Sequence, residues 1–183
     1  MKTSASAYLA LISLATAAAC SSPPHSPPDT RPLADVTATP HECNLISSSA
    51  IKMATGFQSY LAVGGKRDKG RFASCSVTDS TNATGALGLT IEVFEPSPIS
   101  PEGLQNTKAI TKGSDLPVQL GPGFAAWRRG SHNRTIASVY GWTSDYKRLL
   151  TVNIYKGAVG RNALADATEF FRQLKPILLD KQE

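Results

Sequence analysis

The chain has 183 residues, of which 41% are hydrophobic, and this length and composition suit one globular domain with extensions. Its formal net charge of +5 is well short of the dense lysine and arginine face of a nucleic-acid-binding protein. After the first nineteen residues, no segment is apolar over the roughly 20 residues that a membrane-spanning helix needs.

Residues 1–19 have the pattern of an export signal. Lys2 supplies the early positive charge, and an uncharged apolar run follows it. The run ends in three alanines and Cys20, which resembles a bacterial lipobox, although Ala17 stands where leucine is commonest in that motif. We predict a lipoprotein signal peptide over 1–19 and a lipid on Cys20. The alternative is ordinary secretion with an unmodified cysteine.

The cysteine count agrees with lipidation. The chain has three cysteines, and a lipid on Cys20 leaves Cys43 and Cys75, the right number for one disulfide in an oxidising compartment. An unmodified Cys20 would leave an exported protein with an odd thiol. The alternative for Cys43 and Cys75 is a pair of reduced, buried thiols.

Residues 20–40 are rich in serine and proline. They contain six prolines, and Leu33 and Val36 are their only large apolar residues. Such a composition buries too little surface to offset the entropy of ordering. We therefore predict a disordered tether over 20–40, extended by about 3 Å per residue where it is polyproline-like, and a folded domain over 41–183.

Within 41–183 the hydrophobic pattern alternates between helical and strand periods. Asn44 is a candidate helix N-cap, and Pro176 is the expected end of the last helix. The order of elements predicts an α+β fold, an antiparallel sheet with N-terminal and C-terminal helices packed on it. The predicted helices cover 45–55, 101–108 and 161–175, and the predicted strands cover 57–63, 72–78, 87–94, 124–129, 135–142 and 149–155.

Several motifs accompany the lipobox cysteine and the tether: PHECNLIS (40–47), CSV (75–77) and LPVQLGPGFAAW (116–127). Together they resemble the actinobacterial cell-envelope lipoproteins of domain-of-unknown-function family 3558, over most of residues 40–179. The resemblance implies a disulfide between Cys43 and Cys75 and a PsbP-like α/β sandwich. That family has no established catalytic residues, so the resemblance implies none here.

Four aromatic residues in the predicted strands are candidates to line a pocket for an apolar ligand: Trp127, Tyr140, Trp142 and Tyr155. The alternative is that these side chains simply pack beneath a helix.

Two groups of basic residues are candidates for contact with anionic lipid headgroups. One is the loop 66–71, which contains Lys66, Arg67, Lys69 and Arg71, and the other is the pair Arg128 and Arg129. The alternative for both groups is a solvated surface.

Neither a catalytic motif nor a metal-ligand spacing is present in the sequence, and no cofactor is predicted. We predict a binding or interaction module, not an enzyme, anchored by its lipid on the outer face of the plasma membrane. Its expected partners are the membrane, a small apolar ligand or an envelope protein, and not nucleic acid. The alternative function is a small envelope hydrolase or remodelling enzyme.

Overall fold

A computed structural model describes residues 27–66, 72–81, 85–131 and 134–180. The predicted signal peptide, Cys20 and residues 67–71 of the basic loop lie outside these ranges. Among the described residues, no helix is both long enough and apolar enough to cross a membrane.

Most of the strands form one antiparallel sheet, as the alternating sequence pattern predicts. β3 to β9 pair in the order β3-β4-β5-β9-β8-β7-β6, and β1 and β2 form a separate small hairpin. The order places β9 at the centre, between β5 and β8, although it is the last strand in the chain. The strands are β1 (His41–Glu42), β2 (Ile46–Ser47), β3 (Tyr60–Lys66), β4 (Phe72–Asp79), β5 (Leu87–Phe94), β6 (Ser114–Asp115), β7 (Gly123–Arg129), β8 (Thr135–Trp142) and β9 (Leu149–Ile154).

Two helices, α1 (Ser48–Thr55) and α3 (Ala163–Leu178), cover one face of the sheet, which we call the helical face. Their apolar stripes are buried because strands β4, β5, β8 and β9 turn every second side chain toward them. The contact is close at Gly141, where an added Cβ would lie 2.1 Å from Cζ of Phe171. This arrangement confirms the predicted α+β fold with N-terminal and C-terminal helices on an antiparallel sheet.

The third helix, α2 (Pro101–Thr111), lies on the opposite face of the sheet, which we call the second face. Ser100 caps it, since its Oγ accepts a hydrogen bond from the backbone N–H of Gly103 at 3.1 Å. Leu104 is fully buried there against Phe124 and Trp142. The helix therefore covers only the β7 end of the second face.

Two helix boundaries differ from the sequence-based expectation. The first helix begins after Ser47 rather than Asn44, because Cys43 and Asn44 adopt left-handed backbone angles in the turn between β1 and β2. The last helix continues through Pro176 to Leu178. A proline in the final turn removes one N–H donor, and the buried apolar stripe on either side of it keeps the backbone helical.

The predicted tether over 20–40 is wrong for its described part, 27–40. Leu33 is 4% exposed and Val36 is fully buried, so the two large apolar residues of this segment belong to the core. Val36 also exchanges hydrogen bonds with the domain: its N–H donates to Oε1 of Gln173 at 3.0 Å, and its carbonyl oxygen accepts from Ser47 N–H at 2.7 Å. The composition alone suggests that the entropy cost of ordering this segment dominates. The burial of two apolar side chains and these hydrogen bonds offset that cost.

Arg161 fastens the same segment to the start of α3. Its Nη2 donates to the carbonyl oxygen of Arg31 at 2.7 Å, and its Nη1 lies 3.2 Å from Oδ2 of Asp29. The guanidinium also makes two bonds, of 2.9 and 2.5 Å, to the carboxylate of Asp166, which is 1% exposed. A buried carboxylate is thus neutralised by the residue that holds the N-terminal segment in place.

The disulfide between Cys43 and Cys75 is present, with the two Cα atoms 5.7 Å apart. It links the turn between β1 and β2, just before α1, with strand β4. The Cys75 side chain is part of the hydrophobic core, and Cys43 packs against that core. Gly64 on the neighbouring strand leaves room for it, since an added Cβ there would lie 3.0 Å from Cβ of Cys43. A disulfide is typical of extracellular proteins and oxidising compartments.

Candidate functional site

Polar side chains occupy the centre of the second face, beyond the part that α2 covers. In the strand register, Asn153 lies opposite both Ser138 and Thr90, and Thr151 lies opposite Glu92. Because these positions alternate with the core residues of the same strands, all of them point away from α1 and α3. We call this group the polar band, and it consists of Ser74, Ser76, Thr90, Glu92, Ser138, Thr151 and Asn153.

Two atoms of the polar band are buried and have no hydrogen-bond partner among the described residues: Oγ1 of Thr151 and Oδ1 of Asn153. Both residues are 5% exposed. The Nδ2 of Asn153 donates to Oγ1 of Thr90 at 3.2 Å, so only one end of the amide is satisfied. An unmade hydrogen bond in a buried position costs about 1–3 kcal/mol, a cost that an apolar side chain of the same shape would avoid.

A cleft of about 310 Å³ adjoins the polar band where β7 and β8 meet. Arg128 and Tyr155 line it, and Arg134 and Ser131 stand at its outer side. The Nε of Arg128 donates to Oγ of Ser138 at 2.9 Å, and its guanidinium carbon lies 6.0 Å from the centre of the Tyr155 ring. The arginine is therefore held between a hydroxyl of the polar band and an aromatic face.

The cleft is cationic. Its described lining includes two arginines and no acidic residue, and within the described chain neither arginine has an ion-pair partner. Lys156, which follows Tyr155, is neutralised elsewhere, with its Nζ 3.5 Å from Oδ2 of Asp79. Hydrogen bonds from the side chain and backbone of Thr81 hold the pKa of Asp79 below its ordinary value, so this carboxylate stays charged beside the lysine.

The four aromatic residues predicted to line an apolar pocket do not come together. Trp127 lies opposite Ala137, on the helical side of the sheet, and is 45% exposed. Tyr140 and Trp142 lie on the second face, where both pack against Phe124. Tyr140 and Trp142 therefore pack beneath α2, which was the alternative interpretation of these aromatic residues in the sequence.

Tyr155 is the one member of that aromatic set that lines the cationic cleft. Tyr140 lies opposite Thr151 of β9, and Tyr155 follows Thr151 by four residues, just after the end of that strand. The two tyrosines are therefore about 13 Å apart along the strand direction. This separation corrects the prediction of a shared aromatic pocket. Of the two predicted basic groups, Arg128 enters the cleft, whereas Arg129 points to the opposite face.

Sequence reasoning missed the polar band as a site. The alternation in 149–154 does place Thr151 and Asn153 on the side away from the apolar residues of β9, and that was the available signal. Only the register shows that Ser138 and Thr90 flank Asn153, because β5 and β9 are distant in the sequence. The register also brings Arg128 beside them.

Among the described residues, no group of three or more histidine, cysteine, aspartate or glutamate side chains is placed to hold a metal ion.

Comparisons of the chain with protein-family models, with curated proteins and with solved structures found no match.

Proposed function

We propose that this protein is a lipid-anchored lipoprotein on the outer face of the plasma membrane, where its domain binds a small polar ligand without catalysing a reaction. The observation that carries the binding role is the pair of unsatisfied buried atoms in the polar band, beside a cationic cleft. Ligand-binding sites combine a few convergent polar groups with a preformed concave surface.

The location rests on two independent features. The disulfide between Cys43 and Cys75 suits an extracellular or oxidising compartment. The apolar run that ends in Cys20 supplies an export signal and an acylation site. With Cys20 acylated, no cysteine of the chain is left as a free thiol.

Membership of the family-3558 lipoproteins and the PsbP-like form of the α/β sandwich are part of this proposal. An α+β domain with an antiparallel sheet, a C-terminal helix and a cysteine bridge near the start of the domain supports both. The proposed ligand differs in polarity from the apolar one that the aromatic residues suggested, because those residues are dispersed over both faces of the sheet.

The anchor is tested by Cys20→Ala in the native host, with membrane and soluble fractions compared by immunoblot. We expect the variant to leave the membrane fraction, because none of the helices in the described residues is long and apolar enough to hold the domain there once the acyl chains are lost. Cys43→Ala with Cys75→Ala is the matched control, because it also removes thiols yet leaves the acylation site. Retention of Cys20→Ala in the membrane would overturn the anchor.

The binding role is tested by native mass spectrometry of the full chain extracted from its own membrane. A co-purifying small molecule on the wild type that is lost in Asn153→Leu would support the proposal. Asn153→Leu removes the unsatisfied amide and keeps a side chain of similar size. No retained mass on the wild type, or equal retention by the variant, would contradict a ligand at the polar band.

A further inference from the structure

The geometry points to a phosphate-ester site in the cleft formed by Arg128, Arg134 and Tyr155. This inference deepens the proposed binding function and rests on it for the biological role. The cleft lies at one end of the sheet. Its described lining comes from β5, β7 and β8, from Tyr155 just after β9, and from Gly130, Ser131 and Arg134 between β7 and β8.

The side chain of Arg128 is held in place by its neighbours in this site. Its Nε is occupied by Oγ of Ser138, which fixes the plane of the guanidinium across the strands. Its two Nη atoms make no hydrogen bond to any of the described residues. The Tyr155 ring at 6.0 Å limits the other side of the guanidinium. A guanidinium held in this way presents two parallel N–H donors, the arrangement that oxyanions accept best.

Arg134 supplies the second positive charge. It is exposed, it lines the same cleft, and its side chain has no ion-pair or hydrogen-bond partner among the described residues. The backbone bond from Gly130 N–H to its carbonyl oxygen, 2.7 Å long, fixes the position of its Cα beside the cleft. Two unpaired arginines with no acidic neighbour in the lining match the charge of a phosphate ester, about −1.5 to −2 for a monoester at pH 7, better than the single charge of a carboxylate.

The size and the surroundings favour a small polyol attached to the phosphate. A cleft of about 310 Å³ is at the lower end of ligand sites. The hydroxyls of Ser131 and Tyr155 line the cleft and can exchange hydrogen bonds with the hydroxyls of a polyol. The headgroup of a lipid such as phosphatidylglycerol is a phosphodiester with one negative charge, and a soluble phosphate monoester carries up to two. Both present the phosphate oxygens that the two arginines would bind.

The first test is calorimetric titration of glycerol 3-phosphate into the full chain, purified in a non-ionic detergent. Arg134→Gln is the principal variant because its exposed side chain carries no structural contact, and Arg128→Gln is the second. Each should weaken binding roughly tenfold or more, the usual effect of losing a charge-assisted hydrogen bond. Arg129→Gln is the matched control, since it removes the same charge from the adjacent position on the opposite face and should leave the affinity unchanged.

Absence of binding to the wild type, or equal weakening by Arg128→Gln and Arg129→Gln, would overturn the phosphate-ester site. Native mass spectrometry separates this failure from failure of the proposed function. A different retained ligand would leave the binding role standing, and no retained ligand would remove both.

The second test separates the two sources of the phosphate. The wild-type chain is reconstituted in nanodiscs of phosphatidylcholine alone or with added phosphatidylglycerol, and glycerol 3-phosphate is titrated again. Loss of soluble binding in the phosphatidylglycerol discs would assign the cleft to a lipid headgroup. Unchanged affinity would assign it to a soluble phosphate ester. Failure to bind glycerol 3-phosphate in both kinds of disc would contradict the site.

Discussion

Replacing Arg161 with alanine should destabilise the domain strongly. Arg161 is the partner of Asp166, whose side chain is 2% exposed and which accepts two bonds from the guanidinium. Removing one partner of a buried pair leaves an uncompensated charge and typically costs about 3–5 kcal/mol. Because Asp166 lies in the first turn of α3, the helix dipole recovers part of that cost, so we expect about 3 kcal/mol.

The second consequence of Arg161→Ala is release of the N-terminal segment. The substitution removes the bonds to Asp29 and to the carbonyl oxygen of Arg31, which hold residues 29–31 against the start of α3. Hydrogen exchange of the amides in this segment should therefore accelerate more than that of β9. The expected loss is a large share of a domain's total stability of roughly 5–15 kcal/mol.

The assay is urea unfolding followed by circular dichroism under oxidising conditions, with Arg161→Ala, Asp166→Asn and the double variant compared. The loss of stability in the double variant should be smaller than the sum of the losses in the two single variants, because the double variant has no unpaired buried charge. Arg31→Ala is the control: its side chain is 87% exposed, so its loss should lower the unfolding midpoint far less than Arg161→Ala does. Additive single effects, or a cost below about 1 kcal/mol for Arg161→Ala, would refute the reasoning.

Gly141→Ala should destabilise the domain by roughly 1–3 kcal/mol in the same unfolding assay, because its Cβ would lie 2.1 Å from the Phe171 ring and force α3 away from the sheet; an unchanged midpoint would contradict this. Thr151→Val should raise stability by up to about 1 kcal/mol while weakening ligand retention, since it removes an unsatisfied buried hydroxyl; a loss of stability would count against the proposed role. Asp29→Asn should lower stability at neutral pH, and the difference from the wild type should shrink as pH falls below about 4. The Arg31 side chain and backbone N–H lower the pKa of Asp29 to about 2, so the stabilisation exists only while the carboxylate is charged. Parallel acid titrations with a constant gap would contradict that linkage.

Local periodicity in the sequence predicted the three helices and the six longer strands of the domain, although the first strand begins three residues later than expected. The two-residue strands β1, β2 and β6 were not predicted. The alternation over 87–94 matches β5 in both bounds, and 135–142 matches β8. The Ser100 cap of α2 is likewise local, because its hydrogen bond closes within four residues. These features depend on neighbours in the chain, which the sequence displays directly.

Segments whose structure depends on distant residues were predicted poorly. Residues 27–40 look unable to fold when judged by their own composition, yet Leu33 and Val36 are buried because the rest of the domain supplies a surface for them. The same reason explains α3, which continues past Pro176. Propensity describes an isolated segment, and tertiary burial outweighs it here.

The sequence by itself determined the α+β class, the candidate export signal and the pair of cysteines available for a bridge. Only the tertiary structure decided which side chains share a site. Of the four aromatic residues, Trp127 lies on the helical face, Tyr140 and Trp142 pack against Phe124 on the second face, and Tyr155 lines the cleft. Strand pairing and the alternation of side chains decide these places. Arg128, Ser138 and Asn153 come together from three strands because the pairing of β7, β8 and β9 fixes their register. A register between strands is a property of the assembled sheet, and no single stretch of the chain contains it.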